Sequence, residues 1–176
     1  MGREGNRKQL FLIGKEVQEM KIPRFETYIR ENGARYVKES GFYIADGRRT
    51  FNNPEVLSAF FGDSIGIRNA ASEFVYVACM DTKNHIIGCF QASAGSADAS
   101  LFPVRDILQN SLMIGAVSIA VSHNHPSGDF TPSSEDVSAT KKIISACDII
   151  GLRFLDHIIL GANNSGYCSL KCEGYV

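Results

Sequence analysis

The chain has 176 residues, 44% of them hydrophobic and 21% charged, with a formal net charge of −1. That length suits one compact domain with an extension, large enough to fold without staples. No apolar stretch approaches the roughly 20 residues of a membrane span. The apolar segment at residues 10–13 is too short for a signal-peptide core, so a cytoplasmic protein without a membrane partner is expected.

Five cysteines, an odd number, argue against a closed disulfide framework. Cys79, Cys89 and Cys147 fall inside apolar patterns and read as small core residues. Cys168 and Cys172 have the spacing of a zinc pair, but no second pair accompanies them to complete four ligands. Charge is uneven along the chain. Residues 1–50 carry 11 Lys/Arg against 7 Asp/Glu, and residues 51–176 carry 7 against 12. A mildly basic arm on an acidic body is most often a solvated extension. Without a basic stripe interleaved with aromatics, it gives nucleic-acid binding only weak support.

Residues 1–52 read as an N-terminal extension and residues 53–176 as the domain proper. In the extension, Ile22, Phe25, Tyr28 and Ile29 fit one helix face, while Phe25, Thr27 and Ile29 fit a strand; both readings stand. Asn53-Pro54 predicts an N-cap followed by the first helical residue, with Val56, Leu57, Phe60 and Phe61 buried and Gly62 as the stop. Residues 73–80 (EFVYVACM) read as a strand, 81–84 as a turn, 85–92 as a returning strand, and 95–100 as a small-residue loop. Pro103 opens a helix with Val104, Ile107, Leu108, Ser111 and Leu112 on one face. A strand at 116–122 follows, then a helix at 134–150 ended by Gly151, a strand at 154–160, and an edge strand within 166–170. The fold class expected is α/β, a mixed sheet flanked by helices.

The chemistry concentrates at SHNHPSGDFTPSSED, residues 122–136. If the strand runs into this motif, alternation projects His123 and His125 together and turns Asn124 away. Two prolines and a glycine then bring the next helix start, with Asp136, back toward them. Two imidazoles and a carboxylate suit zinc, and three protein ligands leave the open position of a catalytic site. Ser133 and Asp136 also fit positions N-cap and N3 of a capping box with a shortened acid, so a cap explains Asp136 by itself. Asp129 reads as a loop former, and Asp156-His157 as a buried polar pair supporting the sheet.

His123-x-His125-Pro126, followed by Ser133-x-x-Asp136, resembles the JAMM signature of JAB/MPN metalloproteases, a fold with cytidine-deaminase-like architecture. HNHPSGDFTPSSED together with FLDHIILG at 154–161 is similar to the RadC family within that group, over roughly residues 53–172. The resemblance implies Zn2+ held by His123, His125 and Asp136. It also implies Ser133 as a stabiliser of the oxyanion and Glu73 as general base and proton shuttle, in hydrolysis of a protein or peptide substrate. Glu73 has separate support as the only carboxylate between Asp63 and Asp81, opening a strand that reads as buried. A zinc deaminase would need His-x-Glu and Pro-Cys-x-x-Cys, and neither occurs. The alternative to an enzyme is a non-catalytic JAB-fold protein that binds a partner or DNA, linked to DNA repair by the family's name alone.

Overall fold

A computed structural model describes residues 19–47, 50–95, 102–163 and 165–176. The apolar segment at 10–13 and all but the first residue of the 95–100 loop lie outside them. The described chain forms a seven-stranded mixed sheet in the order β2-β1-β4-β3-β5-β6-β7. Its strands are β1 (Met20–Ile29), β2 (Arg35–Ala45), β3 (Phe74–Met80), β4 (Ile86–Ala94), β5 (Ser118–His125), β6 (Arg153–Gly161) and β7 (Tyr167–Ser169). Helices α1 (Pro54–Ala59), α2 (Val104–Ile114) and α3 (Ser134–Ile150) complete the α/β architecture of a JAB/MPN domain. No helix among the described residues is long and apolar enough to cross a membrane.

Strand alternation sorts the core into two faces. Ala78, Met80, Ala120, Ile158 and Leu160 pack with Val56, Leu57, Phe60 and Phe61 on the α1 side. Val75, Val77, Cys79, Ile119 and Val121 pack with Ile107, Ile143 and Cys147 on the α2–α3 side. Cys79, Cys89 and Cys147 are buried as expected, and Cys172 is exposed. In α2 the predicted apolar face holds at Ile107 and Ser111, but Leu112 is 52% exposed.

The ambiguous region after residue 19 is a hairpin: β1 and β2 pair antiparallel from Met20↔Ala45 to Ile29↔Arg35. The hairpin joins the rest of the sheet through one parallel bridge, Arg24↔Cys89. Two side-chain contacts tie it to α2, Thr27 Oγ1 to Asn110 Oδ1 at 2.9 Å and Arg35 to Asp106 at 2.8 Å.

Asn53 caps α1 as expected, its side chain accepting from Val56 N at 2.9 Å. Gly62 does not end this helix. The chain continues as a π-helical turn over Phe60–Ile65 and stops at Gly66, which is left-handed at φ 87°. The space beside Gly62 is taken by the Arg68 guanidinium, whose Nη2 would lie 2.7 Å from any Cβ there. Here glycine admits a neighbour rather than a turn.

Asp156 is a buried hub on the α1 side of β6. It accepts from Ser169 Oγ at 2.6 Å, His157 N at 2.7 Å and Lys171 N at 3.3 Å. Burial outweighs these bonds and raises its pKa above the ordinary aspartate value. A raised folded pKa means stability present below the unfolded value, about 3.9, and lost as pH rises through the folded one. Asp156→Asn removes that titration, so its stability relative to wild type should improve between acidic and neutral pH. Urea midpoints of both proteins at the two pH values check this; a constant difference would refute it.

Candidate metal centre

Strand β5 carries both histidines. It lies between β3, to which it pairs antiparallel, and β6, to which it pairs in parallel. Central placement makes the strand rigid, and alternation puts His123 and His125 on the α2–α3 face. His123 is wholly buried, with the Phe102 ring edge-on at 5.2 Å. The Nε2 atoms of His123 and His125 approach to 2.9 Å. Asp136 brings Oδ1 within 3.3 Å of His123 Nε2 and Oδ2 within 3.6 Å of His125 Nε2. Among the described residues, these three form the one cluster of His, Cys, Asp or Glu able to hold a metal.

Which ring nitrogens carry protons follows from their partners. Asp129 O lies 2.6 Å from His125 Nδ1, and a carbonyl only accepts, so Nδ1–H donates. On the other ring, Thr140 Oγ1 donates to Asp136 O at 2.6 Å. Its single hydrogen spent, Thr140 must accept from His157 Nδ1, also at 2.6 Å. Burial keeps His157 neutral, its pKa well below the ordinary histidine value, with the nearby His123 adding to the effect. His157 Nε2 therefore accepts from His123 Nδ1 at 2.8 Å. Burial also lowers the pKa of His123. Its Nε2 is then a bare lone pair aimed at the cluster. The order Asp136 carbonyl, Thr140, His157, His123 fixes one tautomer, as outer partners of metal-binding histidines do.

Two lone pairs facing each other at 2.9 Å repel unless a cation lies between them. A proton on His125 would relieve that repulsion, and the Asp136 carboxylate beside it raises the His125 pKa against the opposing effect of burial. Burial also disfavours the Asp136 charge, but the two imidazoles beside it and the Ser133 hydroxyl overcome it and hold the carboxyl well below the usual range. Two neutral imidazole donors and one carboxylate fit a divalent metal such as zinc.

Asp136 is both a helix cap and a member of the cluster. Its Oδ2 accepts from Ser133 N at 2.9 Å and Ser133 Oγ at 2.7 Å, while Asp136 N donates to Ser133 Oγ at 3.1 Å. This is the full capping box, and it aims the carboxylate at the histidines. Ser133 thus touches the cluster through Asp136.

Glu73 precedes β3, two residues from Val75, which is paired with His123. Alternation returns its side chain to the histidine face, and its charge raises the pKa of both His123 and His125. Asn124 points to the opposite face, as expected, and is fully buried. Asp129 is the loop former expected, its Oδ1 accepting from Thr131 N at 2.9 Å, but its carbonyl also fixes His125. Asp156 and His157 are not a side-chain pair. As neighbours in a strand they face opposite sides, Asp156 toward Ser169 and His157 toward His123 and Thr140. Sequence reasoning missed Thr140 and the service of His157 to the site. The available signal was helical spacing: Thr140 lies one turn beyond Asp136.

A profile of the RadC-like JAB domain matches residues 51–175. The chain belongs to the RadC-like JAB domain family. Similar curated proteins carry the name UPF0758. One from Methanosarcina barkeri is 40% identical over 110 residues, covering 62% of this chain and 47% of that protein. One from Carboxydothermus hydrogenoformans is 35% identical over 143 residues, 81% of this chain and 60% of that protein. One from Listeria welshimeri is 34% identical over 171 residues, 92% of this chain and 75% of that protein. The chain spans about half the length of the first of these relatives.

If this RadC-like domain binds zinc at the cluster, the relay should make Thr140 a remote determinant of its affinity. Thr140→Val keeps the shape but removes the hydroxyl, freeing His157 to adopt the other tautomer. Zinc affinity should fall about 10-fold, the lower end for loss of an outer-shell partner. Competition titration against a chromophoric chelator measures it, and unchanged affinity would show that the relay does not set the His123 tautomer.

Proposed function

We propose that the protein is a zinc-dependent hydrolase of JAMM type, cleaving an amide or isopeptide bond in a protein or peptide. The observation that carries this reading is the convergence of three lone-pair donors, His123 Nε2, His125 Nε2 and Asp136, on the sheet face that Glu73 shares. Membership of the RadC-like JAB family supports it further.

Zn2+ bound by these three would polarise the substrate carbonyl and lower the pKa of a water in its open position from about 15.7 to roughly 7. Glu73 takes the proton of the attacking water on its carboxylate and delivers it to the nitrogen of the breaking C–N bond. His157 and Thr140 keep His123 in the tautomer that leaves Nε2 free. Ser133 turns its hydroxyl from Asp136 Oδ2 toward the carbonyl oxygen, where such a donor contributes roughly 3 kcal/mol of transition-state stabilisation.

Metal analysis paired with hydrolysis of a mixed peptide and isopeptide panel tests the reading. Wild type is expected to hold one zinc and to cleave. Glu73→Gln should keep the zinc and lose at least about 100-fold in rate, the smallest loss typical of removing a general base. His123→Ala should lose both. Stoichiometric zinc in His123→Ala would overturn the ligand assignment. A zinc-loaded wild type that cleaves nothing in the panel would overturn the hydrolase reading.

A further inference from the structure

Glu73 has no helix or strand of its own to hold it: β3 begins one residue later. A proton shuttle, however, must stay within hydrogen-bond reach of the atoms it serves. The chain around Glu73 is gripped from two sides, by residues with no other evident duty. On one side stands Asn124, the residue between the two histidines. Its Oδ1 accepts from Phe74 N at 2.9 Å. Its Nδ2 donates to Ser72 O at 3.0 Å and Ala70 O at 3.3 Å. Both amide hydrogens and the amide oxygen are used: two bonds land on the residues flanking Glu73 and the third on Ala70, three positions before it.

The chemistry of this grip is specific to an amide. Two carbonyls demand two donors and one N–H demands an acceptor, which aspartate, leucine or serine cannot supply from one short side chain. The Asn124 side chain itself is wholly buried, where an unmet polar group is costly. Because Asn124 shares its strand with His123 and His125, one rigid segment sets both the ligands on one face and the Glu73 backbone on the other.

On the other side stands Gly95, just past β4. Its N–H donates to Glu73 O at 2.6 Å. A Cβ at Gly95 would lie 3.0 Å from Glu73 O and 3.3 Å from Glu73 Cβ, too close without a shift of a few tenths of an ångström. Glycine here keeps the Glu73 backbone seated between β4 and β5.

We propose that Asn124 and Gly95 are positioning residues that hold Glu73 in place against the metal centre. The inference rests on the hydrolase reading, in which Glu73 serves the metal-bound site. It gives the middle residue of His123-Asn124-His125 a function at the site although its side chain never faces it.

Cobalt substituted for zinc in the full chain gives a test that needs no substrate. The pH midpoint of the visible cobalt band reports ionisation within the loaded site. Wild type, Glu73→Gln, Asn124→Ala, Gly95→Ala and both double variants with Glu73→Gln are titrated, with cobalt stoichiometry measured in each. Glu73→Gln should move the midpoint by about one unit, as expected for losing a charge in contact with the site. Asn124→Ala and Gly95→Ala should each move it in the same direction by about half a unit, at full cobalt stoichiometry. In the Glu73→Gln background neither should move it further, because both act through Glu73.

Gly95 is exposed, so Gly95→Ala carries the test even if Asn124→Ala fails to fold. Midpoints that stay at the wild-type value in the single variants, or shifts that persist in the Glu73→Gln background, overturn the positioning role alone. A midpoint unmoved in Glu73→Gln itself overturns the assignment of Glu73, and this inference with it.

Discussion

Two imidazole nitrogens, His123 Nε2 and His125 Nε2, held 2.9 Å apart in a largely buried space set the terms for everything around them. Left alone, such an arrangement would spread apart or tilt one ring to share a hydrogen. Neither escape is open here. The His123 ring is fixed by His157 behind it and Phe102 at its edge, and the His125 ring by the Asp129 carbonyl. The pocket therefore suits a positive charge, whether a proton or a divalent metal. Acid should weaken the metal site for the same reason, since protons compete for His125.

The third donor shows how sparingly the fold uses residues. A helix N-terminus has unpaired N–H groups and a positive dipole end, both of which favour an acidic side chain. Asp136 meets that need with Oδ2 and presents its carboxylate to the histidines in the same conformation. Helix start and ligand position thus become a single constraint. The Thr140 relay extends it by one turn of α3, since the hydroxyl reads the Asp136 carbonyl on one side and His157 on the other.

Much of this was legible in the sequence because local chemistry dictated it. Strand alternation placed His123 and His125 together, the Ser133-x-x-Asp136 spacing announced the cap, and Gly151 ended α3 where expected, left-handed at φ 71°. What was not legible depended on pairing between distant segments. The parallel register of β5 and β6 puts His157 behind His123, and nothing in Asp156-His157 alone indicates which of the two faces the metal side. The contributions of Asp129 O and of the backbone around Glu73 come from main-chain groups, which carry no residue signature. Gly62 looked like a stop because glycines often are, whereas its use is to make room for Arg68.

The hairpin β1–β2 has a consequence of a different kind. It shares one backbone bridge with the remaining sheet and two side-chain tethers with α2, yet it buries Ile22 and Ala45 in the main core. Undocking it would break little pairing but would uncover Ile22, Ala45 and the core residues packed against them. The hairpin is thus held by burial more than by bonds, a kind of hold that fades on cooling.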